Sequence, residues 1–537
     1  MTIESDGRRL ETRLAVSTED DVRGRRLGRA LLCCSGTSFL IMLDSNIVAV
    51  SLPAIARDMH AAFSDIEWVV SAYVLSFAAI LLPAGSLADS LGRRRILFVG
   101  LAIFSIASLL CGVAQSSDML NWSRALQGVG AALQLSAALG LLGHTFEGPE
   151  RPRAFAFWGV VVGAAVAIGP LLGGIITSTV GWRWAFLVNV PVGVGLIALG
   201  STSLDESRDV NAQRLDLPGI VLFAAGLFCL VWAAIEANTI GWSSTSTLVR
   251  FGIGAALLAL FVVVERVRNA PMIDLALFRR STYLGSTFAM LGYAFAGQVM
   301  MTLLPLYLQS AHGLSPFMAG LAMMPFAIPL VFSPRLAGPL AQQLSSRIVL
   351  TLGLVVIGFG DILTAVNLAC SGSYFAVALG MMVAGAGTGL LNGETTKAMI
   401  SAVPPERAGM AGGLTGTTRF VGIVAGISVL GAVLAAGTEH HVAVGLKSLG
   451  AHWSATNVHA LAQRAAAGDG SAASAGGLAA DALQALAQAS FTAGFVWLLL
   501  VAGVLALATA GLTYAYAQPD EAAVLAPKLQ VPAETEL

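Results

Sequence analysis

Two charged side chains stand deep inside apolar runs: Asp44, in Phe39-Leu-Ile-Met-Leu-Asp-Ser-Asn-Ile-Val-Ala, and Arg124, in Trp122-Ser-Arg-Ala-Leu-Gln-Gly, with Gln127 one helical turn on. A carboxylate at the centre of a membrane helix costs about 2.5–3.5 kcal/mol on insertion scales, so Asp44 is expected to face a cavity or a partner. Such a group suits the uptake and release of a proton, or acts as a structural hydrogen bonder to Asn46 or a neighbouring helix. Arg124 stays charged, so it can favour the ionised form of a nearby acid, oppose a cationic substrate, or clamp helices through backbone carbonyls. Asp361, Glu394, Arg419 and Glu236 also fall in apolar stretches and are weaker leads of the same kind. Glu67, just before Trp68, is expected to cap a helix, and Trp182 and Trp184 to anchor at the membrane interface.

A second constellation is Gly85-Ser-Leu-Ala-Asp-Ser-Leu-Gly-Arg-Arg-Arg95, wedged between two long apolar runs. Gly85 and Gly92 permit a tight turn, and Asp89 can accept from Arg93, Arg94 or Arg95, so the block reads as a candidate gating loop. A third is Gly159, Gly163 and Ala167 at four-residue spacing, followed by Gly169, Pro170, Gly173 and Gly174. Small residues so spaced allow close helix packing, and Pro170 is expected to bend or loosen its helix.

These groups need a scaffold of membrane helices. Of 537 residues, 56% are hydrophobic and 11% charged, with mean hydropathy +0.78; a soluble domain carries about 25% charged residues. A span needs roughly 20 apolar residues. Runs of that length lie near 30–52, 67–88, 95–114, 120–143, 154–177, 184–203, 217–238, 247–267, 283–310, 316–337, 347–368, 372–399, 409–437 and 490–516, about fourteen in all. With the N-terminus inside, the cytoplasmic segments gather Arg23, Arg25, Arg26, Arg29, Arg93 to Arg95, Arg151, Arg153, Arg266, Arg268, Arg279, Arg280 and others. The outer side holds Arg57, Arg183, Lys447 and Arg464. That asymmetry supports an even number of spans with both termini cytoplasmic.

Gly85-Ser-Leu-Ala-Asp-Ser-Leu recurs as Gly338-Pro-Leu-Ala-Gln-Gln-Leu, with Gln342 in place of Asp89. The chain thus divides into a tail (1–29), a six-helix bundle (30–205), a two-helix insert (206–270), a second six-helix bundle (271–516) with an outer loop at 438–489, and a tail (517–537). Repeated halves about a central site are the plan of many secondary transporters. Residues 438–489, rich in Ala, Gly, Ser and His, read as linker or cap, with a short helix over Ala479 to Ala489. His440, His441, His452 and His459 match no metal spacing, and Cys33, Cys34, Cys111, Cys229 and Cys370 read as small hydrophobes.

No GxxxxGK with a following Ser or Thr surrounds any of the lysines, Lys397, Lys447 and Lys528, so nothing here would cradle a nucleotide. No cofactor is expected. Uphill work would draw on an ion gradient, worth about 2.3 kcal/mol per charge per 100 mV.

Five stretches, Leu43 to Pro53, Gly85 to Arg95, Arg124 to Ala132, Gly163 to Gly174 and Trp182 to Gly193, fall in order on the first six spans. Together they resemble the major facilitator superfamily, in its fourteen-helix drug:proton antiporter family. The chain departs from the pattern at Asn46 (usually Thr), at Ala49 (usually Asn) and at Gln342, where the acid is missing. The resemblance implies an all-α polytopic fold, two six-helix bundles with two inserted helices, rocking about a central cavity. It associates Arg124 with proton coupling, and the glycine-proline pattern of the fifth helix with export. The expected activity is proton-coupled efflux of lipophilic drugs or toxic compounds, cationic ones among them, by a monomer in a bacterial cell membrane. No nucleic-acid partner is expected. Met290, Met300, Met301, Met323 and Met324 are candidates to line a broad cavity. A dedicated exporter of one metabolite or antibiotic, a proton symporter and a receptor that has lost transport are the alternatives.

Overall fold

The computed structural model describes residues 3–146, 148, 150–208, 216–268, 275–370, 373–403, 408–448, 454–466 and 480–518. The described residues hold thirteen helices long and apolar enough to span a membrane, and a bent pair supplies a fourteenth. We number the spans in chain order. α1 is Ile3–Met59, with Gly24–Met59 of membrane character. α2 is Phe63–Leu91, α3 Arg93–Gly112, α4 Ser117–Thr145, α5 Glu150–Thr179 and α6 Trp184–Ser203. α7 (Leu217–Ile240) and α8 (Thr245–Val267) form the insert. α9 is Ser281–Ser310, interrupted by a π-helical stretch, Tyr293–Gln298. α10 is the pair Pro316–Ala322 and Met324–Ala337, bent by 43°. α11 is Ser346–Cys370, α12 Tyr374–Ser401, α13 Ala408–Ser448 and α14 Ala480–Tyr516.

Helices α1 to α6 pack on one another as one bundle and α9 to α14 as a second, while α7 and α8 pair and α7 lies against both α2 and α13. Glycines set the closeness of the first bundle. A Cβ at Gly100 would come 2.6 Å from the Gln134 amide, and one at Gly130 2.6 Å from that of Phe104, so α3 and α4 touch backbone to backbone.

The two ends of the bundle are named here by Gly92 and by Trp182. At the Trp182 end the halves meet. Gln309 of α9 donates to the Val50 carbonyl of α1 at 2.8 Å. A Cβ at Gly174 of α5 would lie 2.8 Å from Phe317 Cα of α10. Toward the Gly92 end, Gly159 and Gly163 of α5 have nothing within 4 Å of a Cβ. Among the glycines of α5, close packing falls on Gly169, Gly173 and Gly174, against Asn46 and Ile47 of α1 and against α10; Gly163 makes none. α5 runs unbroken through Pro170.

Several local expectations are corrected. Gly85 to Arg95, read as a loop, is mostly helix: α2 stays helical to Leu91, and the turn is Gly92 alone, at φ +112°, whose amide still bonds the Ala88 carbonyl. Residues 438–489 are largely helical where described. α13 continues to Ser448, a helix covers Ala455–Ala466, and α14 begins at Ala480, so the short helix expected over Ala479–Ala489 is, from Ala480 on, the start of α14. Residues 449–453 and 467–479, the tail from 519, and the side chain of Gln342 lie outside the described residues. Trp182 is buried, its indole N–H donating to Asp58 at 3.1 Å, and only Trp184 is exposed.

A buried ion pair and the groups around it

Asp44 lies on α1 and Arg124 on α4, their side chains 0% and 1% exposed. Arg124 Nη1 donates to Asp44 Oδ2 at 2.8 Å and to Gln127 Oε1 at 2.6 Å. The other carboxylate oxygen accepts from Gln127 Nε2 at 2.9 Å and from Asn189 Nδ2, at the start of the main segment of α6, at 2.6 Å. Arg124 Nε donates to the Val69 carbonyl of α2 at 2.8 Å, and the guanidinium lies 4.1 Å from the Tyr73 ring centroid. Ser108 of α3 accepts from Gln127 at 2.8 Å. Five helices of one bundle thus converge on one ion pair.

Packing dictates the convergence. Gly128, one residue past Gln127, lets α4 press onto α2, where a Cβ would overlap the Tyr73 carbonyl. A charged pair stripped of water is tolerable only when the remaining lone pairs and protons are satisfied. The Gln127 and Asn189 amides and the Val69 carbonyl do this. Its ionised form is net neutral, so a proton arriving on Asp44 would leave Arg124 buried and uncompensated. The site can therefore couple protonation to rearrangement.

The other sequence-derived candidates do not join this cluster. Asp361 on α11 is 1% exposed, and its Oδ2 has no partner among the described residues. Glu394 on α12 pairs with Lys397 at 3.4 Å. Arg419 on α13 donates through Nε to Gln298 of the π-helical stretch at 2.6 Å and lies 5.5 Å from the Tyr293 ring, whose hydroxyl donates to Asn392 at 2.8 Å. Glu236 pairs with Arg250 inside the insert. Met290, Met300, Met301 and Met323 are buried in helix packing rather than spread over a cavity wall. Among the described residues no group of three His, Cys, Asp or Glu could hold a metal.

The charges at the Gly92 end are consumed locally. Asp89 accepts from Arg93 Nε at 2.8 Å, four residues on. Glu206, unsuspected from sequence, caps α3 by accepting from the Arg94 and Arg95 amides at 3.0 and 3.2 Å. Asn189, Ser108 and Tyr73 were also missed. Asn189 stands within the Trp182–Gly193 motif, but nothing in its spacing points to Asp44. Glu67 caps nothing, since Asp65 supplies the α2 cap at Ala62. Glu67 is 3% exposed, and neither of its oxygens has a partner among the described residues.

The Major Facilitator Superfamily model matches residues 34–427. The chain belongs to this superfamily, in its drug:proton antiporter family. It is 32% identical over 533 residues to the tetracenomycin C resistance and export protein of Streptomyces glaucescens, covering 96% of each chain. It is 36% identical over 399 residues to the multidrug resistance protein Stp of Mycobacterium tuberculosis, 74% of each chain. It is 36% identical over 421 residues to the cephamycin export protein CmcT of Amycolatopsis lactamdurans, 76% of this chain and 85% of that one. Among solved structures, a bacterial homolog of the human lysosomal transporter Spinster superposes with TM-score 0.61 at 16% identity, covering 92% of this chain and 99% of that one, a likeness of fold.

Proposed function

We propose that this superfamily member is a proton-coupled exporter of lipophilic compounds, cationic ones among them, with Asp44 as the proton-carrying group. The observation that carries the reading is the sealed Asp44–Arg124 pair, at 0% and 1% exposure. Protonation of Asp44 removes the partner of a permanently charged arginine, and the bundle must move to solvate or re-pair it. That movement is the link between proton binding and alternating access. The relatives named for resistance and export support the outward direction. The arginine asymmetry supports a Gly92 end facing the cytoplasm, with both termini there, in a bacterial inner membrane. One chain holds both bundles, so a monomer suffices.

The test is substrate-driven proton release in everted vesicles across a panel of lipophilic cations, neutral compounds and acids. The wild-type protein should release protons on addition of a transported compound, and Asp44→Asn should not. Normal expression of Asp44→Asn with undiminished release would remove Asp44 from the role.

A dedicated exporter of one compound is the second reading. It is favoured by the polar set Arg419, Gln298, Tyr293 and Asn392, which could hold one oxygen-bearing ligand in one pose. A resistance profile confined to a single chemical class would select it.

A further inference from the structure

Helix α2 has two working faces near the Trp182 end. On one, the Val69 carbonyl accepts from Arg124 of the buried pair. The other faces α13 of the second bundle. The antiparallel register of α2 and α13 runs through Leu82 beside Gly413, Leu81 beside Gly416 and Phe77 against Phe420 (ring centroids 4.1 Å apart) to Glu67 beside Gly431. A Cβ at Gly431 would fall on Glu67 Oε1 and lie 3.5 Å from Phe63. Only a glycine leaves room for that carboxyl group.

The same register brings Ser71, one turn along α2 from Glu67, level with Ser428, one turn from Gly431 on α13. Ser71 is 0% exposed and Ser428 2%. Neither hydroxyl has a partner among the described residues. They do not take the bond to the carbonyl four residues back that Ser51, Thr388 and Thr438 take. A carboxyl and two hydroxyls thus stand along the seam between the bundles, each without a hydrogen-bond partner among the described residues. α7 packs against both helices of that seam, with Trp68 6.0 Å from Phe228.

The charged and titratable groups on the elements around this stretch are engaged elsewhere or far along the helix. Asp44 and Arg124 pair with each other, Glu236 pairs with Arg250, and Glu439 pairs with His459 of the Ala455–Ala466 helix. Arg464, on that helix, and His440 and His441 of α13 form no ion pair with Glu67, while Asp65 caps the start of α2. Arg419 is held by Gln298 and stands twelve residues along α13, about 18 Å at 1.5 Å per residue. A bare carboxylate in this contact has no counter-charge and accepts no hydrogen bond among the described residues.

We propose that Glu67 is a second proton-binding group, which holds a proton while α2 and α13 are in contact at the Trp182 end and yields it to water when they part. This rests on the exporter reading and deepens it. Asp44 carries the coupled proton inside one bundle. Glu67 binds its proton on the surface where the two bundles meet, from the side to which the Trp182 end opens. Acid on that side closes the contact and resets the carrier. Ser71 and Ser428, one turn along the seam from the carboxyl and without partners among the described residues, are the hydroxyls that can turn toward it when it is protonated.

The test needs no identified substrate. Spin labels are placed at Gln115 and Phe375, exposed positions of opposite bundles at the Trp182 end, in full-length protein freed of its native cysteines and held in lipid nanodiscs. Inter-label distances are then measured across a pH series. With the native Glu67, the ratio of separated to closed populations should rise about tenfold per pH unit above the transition, as release of one proton requires. Glu67→Gln, which keeps shape and removes the titration, should stay closed at every pH. Ser428→Ala should keep the response and move its midpoint. Asp44→Asn should retain the Glu67-dependent transition even if proton-coupled efflux is lost, which separates this proposal from the Asp44 reading. The proposal is overturned by a flat response with Glu67 in place, by an unchanged response in Glu67→Gln, or by a response to replacement of sodium by choline at fixed pH, which would assign the site to a metal cation.

Discussion

Replacing Arg124 with leucine should be among the most damaging single changes in the first bundle. The guanidinium bonds Asp44 and Gln127 through one nitrogen and the Val69 carbonyl through another, and its Cζ lies 4.1 Å from the Tyr73 ring centroid. Leucine fills part of that volume but leaves Asp44, 0% exposed, with only the Gln127 and Asn189 amides as partners. Removing one member of a buried pair costs about 3–5 kcal/mol, because the survivor is left charged in a dry site. The double variant Asp44→Asn/Arg124→Leu removes both charges, and its cost should fall to about 1–3 kcal/mol, the penalty of imperfectly satisfied amides. The measurement is reversible unfolding at neutral pH in mixed dodecyl maltoside and SDS micelles, followed by circular dichroism and arranged as a double-mutant cycle. A coupling energy of about 2 kcal/mol or more is expected. A loss under about 1 kcal/mol for Arg124→Leu, or additivity within about 0.5 kcal/mol, would mean that Asp44 is already neutral at rest. The ion-pair mechanism would then fall.

Three further outcomes follow from the geometry. Gly174→Leu places a side chain where a Cβ already sits 2.8 Å from Phe317 Cα and 3.0 Å from the Pro316 carbonyl carbon. The Gln115–Phe375 label distance should then be long at every pH, and an unchanged distribution would show that the contact is not a closure point. Gly92→Ala combines φ +112° with a Cβ 2.6 Å from Glu206 Oε1, and should lower stability by about 1–3 kcal/mol in the same micelle assay. Burial holds the His312 imidazole below its ordinary value of 6.5, beside the Tyr307 hydroxyl at 3.0 Å. As pH falls below 6.5 the unfolded chain takes a proton that the folded one resists. Acidification should therefore destabilise the parent more than His312→Gln.

Much of the site was legible before any fold was known, because membranes make polar residues conspicuous. Asp44, Arg124 and Gln127 stood out as costly insertions into apolar runs, and the structure joins them within 2.9 Å. Asn189 and Ser108 did not stand out, since an amide or hydroxyl near a helix end is cheap and common. Glu67 was misread for the same reason: its place before Trp68 suggested a cap, and only the neighbouring α13 shows it buried. The methionines illustrate the converse. Their composition suggested a pliable cavity lining, whereas packing encloses four of the five.

The sequence by itself determined the membrane class, about fourteen apolar spans and the pairing of like halves, because hydrocarbon thickness and charge asymmetry act locally along the chain. It also marked which glycines could allow close approach. Which of them do so was decided only in three dimensions: Gly169, Gly173 and Gly174 lie in contact while Gly163 stands open. That distinction depends on where another helix arrives. The same holds for charge. A residue's type says that it must be satisfied or neutralised in a membrane, and only the neighbours brought by tertiary packing decide which, so Asp44 is an ion-pair partner and Glu67 an acid with no partner among the described residues.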